Sequence, residues 1–258
     1  MNLSTPYLAL KYLFLSFFSS SPQIKYESRH TILSAMANYW DFRVHTANLM
    51  WTYDPEYLSH WQHFDGDSGK RIHERRFNLY YLAKSTRLLP GDTAECGVLF
   101  GAGSFMIMKA TAREGRVHHI FDSFQGLSKP GNQDDVKEDR TFKWEEGDLS
   151  VNEITVKRNL TGHGNFTTYQ GWIPSRFDEV SNKIFSFVHI DVDLYQPTYD
   201  SLEFFYKRMT RGGIIVCDDY GSEACPGAYK ALNEFISDKP EDIIHLTGGQ
   251  GVIIKTCQ

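Results

Sequence analysis

From Thr93 onward, short apolar runs alternate with stretches in which apolar residues recur every three or four positions. That alternation predicts strands and crossover helices in turn. The runs predict strands at Thr93–Val98, Val117–Asp122, Phe166–Gln170, Phe185–Asp191 and Ile214–Asp218. The periodic stretches predict helices near Ser104–Ala112, Val151–Leu160, Thr198–Met209 and Ala228–Ser237. Strands separated by helices pair in parallel. The end of the chain breaks the pattern, because the runs at 242–247 and 251–255 are separated only by Gly248-Gly249-Gln250. So short a connection holds no crossover helix, so the last two strands are antiparallel. The expectation is an α/β protein with a mostly parallel seven-stranded sheet that ends in an antiparallel hairpin.

Residues 1–65 read differently, as helical and aromatic-rich, with Trp40, Trp51, Tyr53, Tyr57 and Trp61. They predict an N-terminal helical cap or lid on a main domain spanning 66–258. Within them Pro6–Phe18 is strongly apolar, but Lys11 interrupts it, no basic residue precedes it, and it is too short to span a bilayer. A packed or partner-facing helix is the expectation; a targeting or membrane-surface segment is the alternative. The loop Asp65-Gly-Asp-Ser-Gly69 has the opening of a calcium loop, yet its twelfth position is Arg76 where a bidentate Glu is needed. Ser68 reads instead as the N-cap of a helix from Arg71 to Leu89, stopped by Pro90-Gly91.

With 258 residues the chain has room for one α/β domain and a cap, not for a second independent domain. A net charge of −5 excludes a nucleic-acid surface, which needs a clustered positive field. Cys96, Cys217, Cys225 and Cys257 lack the paired spacings of zinc sites or disulfide frameworks, and read as free thiols in a reducing, cytoplasmic setting. The Asn-x-Ser/Thr triplets at Asn2, Asn159 and Asn165 carry meaning only in a secreted protein.

The chemistry gathers at the predicted strand ends. The first strand runs into Glu95-Cys-Gly97-Val and then Gly101-Ala-Gly-Ser104 before a helix. Glycines there permit a tight turn and close approach of a ligand, and the helix start offers unpaired amides. The spacing is neither the G-x-G-x-x-G of pyrophosphate binders nor a P-loop. The second strand ends in Asp122, a position suited to ribose hydroxyls or, more plainly, to solvent. Asp191, in His189-Ile-Asp-Val-Asp-Leu-Tyr195, and Asp218-Asp219 each close an apolar strand. Neighbouring parallel strands present these ends on one rim, so three carboxylates would converge. Their repulsion calls for a cation, and hard oxygen donors suit magnesium. Backbone amides satisfying a buried Asp pair is the structural alternative; Asp193 reads as a helix-start residue and His189 as a satisfied core histidine.

These pieces, with Tyr169-Gln-Gly-Trp-Ile-Pro174 and Gly212-Gly-Ile-Ile-Val-Cys-Asp-Asp-Tyr-Gly221, follow one another over about Arg71–Lys255 in an order that resembles the macrocin O-methyltransferase (TylF-type) family. The chain departs from it in having Val192 where members usually have Gly, and in an N-terminal region without a match. The resemblance implies a Rossmann-like class I methyltransferase fold and transfer of a methyl group from S-adenosylmethionine to a hydroxyl of a sugar or polyol-bearing small molecule. It further implies Mg2+ held by Asp191, Asp218 and Asp219, with Asp191 also the catalytic base, and a homodimer. The cofactor would be held by Glu95, Gly97, Gly101, Ser104 and Asp122, with Asp148 against adenine; Trp172 is a candidate wall.

Three alternatives stay open. A catechol-type metal-dependent O-methyltransferase would carry the same carboxylates. A nucleotide-sugar oxidoreductase would need a pyrophosphate-binding glycine loop beside its Tyr-x-x-x-Lys pair, and the glycine spacing after the first strand is not that loop. A non-catalytic protein on a degenerate methyltransferase fold would have no reason to keep the carboxylates and the glycine turn together.

Overall fold

The structure is a computed structural model, and it describes residues 6–37, 49–64, 73–136 and 143–257. The chain falls into two compact units, Met1–Ser59 and His60–Gln258. Trp40, Ser68 and the Asp65–Gly69 loop lie outside the described residues.

The first unit contains the helices α1 (Pro6–Phe18) and α2 (Pro22–Ala37). Pro22 starts α2, where its missing N–H costs nothing. Ser16 and Ser28 are buried between these helices, and Ser16 Oγ returns its proton to Leu13 O at 2.7 Å. The opposite arc of α1 leaves Tyr7, Leu10, Phe14, Phe17 and Phe18 exposed. No helix among the described residues is long and apolar enough to cross a membrane. A short helix, α3 (Pro55–Trp61), follows, with Asp54 Oδ1 accepting from Tyr57 N at 2.8 Å as its cap.

In the second unit, α4 (His73–Ser85) leads into β1 (Asp92–Cys96), α5 (Ala102–Ala110), β2 (His118–Asp122), α6 (Glu153–Leu160) and β3 (Phe166–Gln170). The chain continues through β4 (Phe185–Ile190), α7 (Tyr195–Tyr206), β5 (Met209–Cys217), α8 (Pro226–Ile236), β6 (Ile244–His245) and β7 (Gly251–Ile254). The seven strands lie in the order β3-β2-β1-β4-β5-β7-β6. β1 to β5 pair in parallel, and β7 is antiparallel to both β5 and β6. This is the expected sheet. Every residue of β4 is buried, as in a central strand covered on both faces. Beneath the sheet Phe121, Phe177, Phe185 and Phe205 pack ring against ring at 5.0–5.9 Å.

The boundaries that differ do so for tertiary reasons. α7 starts at Tyr195 rather than Thr198 because Asp134, far away in sequence, accepts from Tyr195 N at 2.7 Å and caps the helix. β5 starts at Met209, well before the expected Ile214, since Gly212 at φ 81° lets the chain stay beside β4 across a register break. α4 stops at Ser85, short of Leu89, where Thr86 turns its hydroxyl back to Ala83 O. The strand expected over 242–247 shortens to Ile244–His245.

Candidate active site

The strand order reverses between β1 and β4, and parallel sheets open a crevice outside the carboxyl ends at that point. Here a crevice of about 260 Å³ is walled by Arg75 and Arg76 from the α4 side, Gly97–Leu99 after β1, Asp122 and Ser123 after β2, Trp172 and Ile173 after β3, Asp191–Asp193 after β4, and Asp218 and Asp219 after β5. Backbone bonds set these ends level. Gly97 N donates to Phe121 O at 2.9 Å, Asp191 N to Cys96 O at 2.8 Å, and Asp218 N to Ile190 O at 2.9 Å. Four described non-glycine residues have left-handed φ, and three of them, Leu99, Leu149 and Asp193, line this crevice. Strain of that kind persists where surrounding structure holds a functional shape.

The predicted cofactor residues divide by depth. Gly97 and Asp122 line the crevice. Asp122 accepts from Val98 N at 2.8 Å and Phe124 N at 2.7 Å, so it also fastens the loop after β1. Burial raises its pKa, and these two bonds oppose the rise. Glu95 and Ser104 sit behind the wall, fully buried and bonded to each other. Gly101, at φ 97°, starts α5 and packs against Leu160, outside the crevice lining. Asp148 also differs from the expectation, since its carboxylate accepts from Glu145 N at 2.9 Å and it is Leu149 that lines the crevice. An Asp side chain satisfies its own turn at little entropic cost, which spacing along the chain does not reveal. Trp172 is half exposed at the crevice wall.

Gly97 carries the tightest constraint. Its φ is 81°, and a Cβ there would lie 1.9 Å from Asp191 O, a backbone atom that cannot turn aside. We expect Gly97→Ala to cost more than about 2 kcal/mol from strain and clash together. Its melting temperature should fall by about 4 °C or more; an unchanged melting curve would refute the close approach.

The carboxylates meet, though in a different grouping from the expected trio. Donor atoms of His189, Asp191 and Asp218 lie within 4.8 Å of one another, and those of Asp193, Asp219 and Cys225 form a second such set. Asp218 accepts from Gln250 Nε2 at 2.7 Å, and His189 Nε2 stands 3.2 Å from it. Arg75 forms an ion pair with Asp218 and reaches Asp219 Oδ1 at 3.2 Å. Asp219 Oδ2 is buried and has no hydrogen-bond partner among the described residues.

Electrostatics separates these acids. Burial alone would raise the Asp218 carboxyl, but His189 close beside it, then Arg75 and Arg76, hold it below the ordinary range. Burial, then the charge of Asp218, raises Asp191. Burial and Asp191 push Asp193 up to about 7. Burial, then the charges of Asp193, Asp191 and Asp218, raises the Asp219 carboxyl well above its ordinary range.

Several of these residues were not found from the sequence. His189, expected as a core histidine, links the two halves of the site, with Nδ1 at 2.7 Å from Glu95 Oε1 and Nε2 facing Asp218. Its spacing of two from Asp191 on a strand was the available signal. Asp193 was set aside as a helix-start residue. Arg75, Arg76 and Gln250 left no local trace, because they arrive from α4 and from the turn before β7.

Comparison with known proteins bears on what this crevice serves. A tetracenomycin-class enzyme of Streptomyces olivaceus, 8-demethyl-8-(2,3-dimethoxy-alpha-L-rhamnosyl)-tetracenomycin-C 4'-O-methyltransferase, is 30% identical over 167 residues, 60% of this chain and 63% of that protein. Demethyldecarbamoylnovobiocin O-methyltransferase of Streptomyces niveus is 28% identical over 156 residues, 57% of this chain and 58% of that protein. These matches therefore span about three fifths of the relatives' own length. The solved structure of the O-methyltransferase NovP superposes with a TM-score of 0.58 at 24% identity, over 72% of this chain and 81% of that one, and shows the shared fold. The sequence model of the macrocin-O-methyltransferase (TylF) family matches residues 75–246, from the arginines of α4 to the hairpin after β5, and so the chain belongs to that family.

Proposed function

We propose that the protein is an S-adenosylmethionine-dependent O-methyltransferase that methylates a hydroxyl of a sugar or polyol-bearing small molecule and uses Mg2+. The observation that carries this reading is the meeting of Asp191, Asp218 and Asp219 in one crevice with the Gly97 turn and Asp122. The residues fit a dication: five carboxylates line the crevice against two arginines, and the buried Asp219 Oδ2 is unsatisfied. Asp191, Asp218 and Asp219 would hold it. When bound, such an ion supplies acidity to a coordinated hydroxyl.

The chain's own residues do the rest. Gly97 lets the cofactor approach the backbone, and Asp122 faces the ribose hydroxyls. Glu95 and Ser104 support this wall from behind, with Gly101 at the start of α5, and Asp148 holds the turn that presents Leu149. Asp191 takes the hydroxyl proton on a carboxylate oxygen as the methyl moves from sulfonium to oxygen. Asp193 is another carboxylate of the crevice, and burial with the charge of Asp191 pushes it up to about 7. The sugar is favoured over a catechol by the family and by its rhamnosyl-named relative. A reducing, cytoplasmic setting suits four cysteines that form no disulfide, and a homodimer completes the reading.

Calorimetric titration with S-adenosylmethionine, with and without magnesium, followed by a panel of glycosides and catechols, tests this. Binding is expected in both titrations, and turnover of a glycoside only with the ion, lost with a chelator. Undiminished turnover in chelator would remove the metal from the reading, and turnover of catechols alone would replace the acceptor.

A further inference from the structure

We propose that the Arg76 guanidinium binds the carboxylate of the methionyl end of S-adenosylmethionine; this rests on the cofactor reading above. The cofactor ends in an amino acid, so its pocket has to answer a carboxylate with a cation or a set of donors. Among the described residues that line the crevice, the only cations are Arg75 and Arg76. Arg75 is already used: its guanidinium pairs with Asp218 and reaches Asp219 Oδ1 at 3.2 Å.

Arg76 is different. It is 9% exposed, and its Nε is buried without a hydrogen-bond partner. Its only ion pair among the described residues is loose, with Nη2 3.9 Å from Asp191 Oδ2, beyond hydrogen-bond range. The charges of Asp191 and Asp218 offset part of its desolvation, but no carboxylate of the described residues forms a hydrogen-bonded ion pair with it.

Its position matches the need. A Cβ on Gly103, in the first turn of α5, would lie 3.1 Å from Arg76 Nη1, so the guanidinium stands against the start of that helix where glycine leaves room. Amides at a helix start favour an anion. The nearest acid behind them, Glu95, is taken up by His189 at 2.7 Å and by Ser104. The ligand's carboxylate is thus the anion that both the guanidinium and the helix start lack. Arg76 is then a cofactor-binding residue, and Asp191 keeps its role on the acceptor side.

The test compares S-adenosylmethionine with its decarboxylated form, S-adenosylmethioninamine, by calorimetry on the full chain. The two ligands share the sulfonium and the adenosine, so the comparison isolates the carboxylate. Wild type should prefer S-adenosylmethionine by about 10- to 100-fold, the range for a charge-assisted contact. Arg76→Gln should lose that preference through weaker S-adenosylmethionine binding, with the analogue's affinity unchanged within about threefold. Arg76→Lys should recover part of it, and its melting curve controls for folding. Equal loss for both ligands in Arg76→Gln, or a wild type indifferent to the carboxylate, would overturn the assignment while the methyltransferase reading stands. A wild type that binds neither ligand would overturn both.

Discussion

Asp191→Ala is expected to lower kcat/KM for methyl transfer by about a thousandfold, or about 4 kcal/mol of transition-state stabilisation. Its dissociation constant for S-adenosylmethionine should change by no more than about threefold. The split follows from position. Asp191 closes β4 with its amide on Cys96 O, and its side chain is 26% exposed at the crevice. It stands with Asp218, across the strand-order reversal from Asp122. Removing it takes away an oxygen donor and the proposed proton acceptor, but nothing that holds the adenosine. Single-turnover rates beside calorimetric affinities would check this, and a variant that turns over like wild type would sink the catalytic assignment.

Glu95→Ala should give the largest loss of stability, about 3–5 kcal/mol, because it strips the partner from a buried charge. Glu95 is 1% exposed and His189 is fully buried, 2.7 Å apart. Burial alone would lower the His189 pKa, but the nearby carboxylates of Asp218 and Glu95 reverse this and raise it from 6.5 to about 10. Burial likewise opposes the Glu95 charge, and the His189 hydrogen bond overrules it, leaving the carboxyl below its ordinary 4.5.

The pH window follows from these directions. A histidine with a raised folded pKa contributes stability that is complete below 6.5 and is lost as pH rises toward 10. A carboxylate with a lowered pKa contributes above 4.5 and loses its contribution as pH falls. The pair is therefore worth most between those values. Denaturant unfolding at pH 6 and pH 9.5 should show the gap between wild type and Glu95→Ala narrowing at the higher pH. A gap that does not change would mean His189 is neutral in the folded protein at both pH values.

The link through His189 joins β1, which ends at the Gly97 turn, to the strand ends that carry Asp191 and Asp218. β1 supplies Glu95, register-paired with His189 of β4, and His189 pairs in turn with Val216 of β5, two residues before Asp218 at that strand's end. Gln250 Nε2 adds a donor to Asp218 from beyond β5. Shifting one strand by a residue would turn that strand's member of the set to the opposite face and break the chain there. The polar chain across the sheet and the strand register thus depend on each other.

Much of this was legible along the chain. Apolar runs alternating with helical periodicity fixed five parallel strands, and the three-residue link at Gly248–Gln250 required the antiparallel end. Acidic residues closing successive apolar strands put Asp122, Asp191, Asp218 and Asp219 on one rim, since parallel strands all point their carboxyl ends the same way. Those conclusions rest on period and direction, which are local properties.

Tertiary structure alone decided the rest. It turned Glu95 inward onto His189, added His189 to Asp191 and Asp218 and Asp193 to Asp219, and brought Arg75 and Arg76 from α4 to face the acids. It also let Asp134 cap a helix far along the chain. Each of these is a contact between side chains remote in sequence, formed only once the sheet order brings their elements together. Residue spacing carries a strand's faces but not its neighbours, so partners and charge states came from the fold.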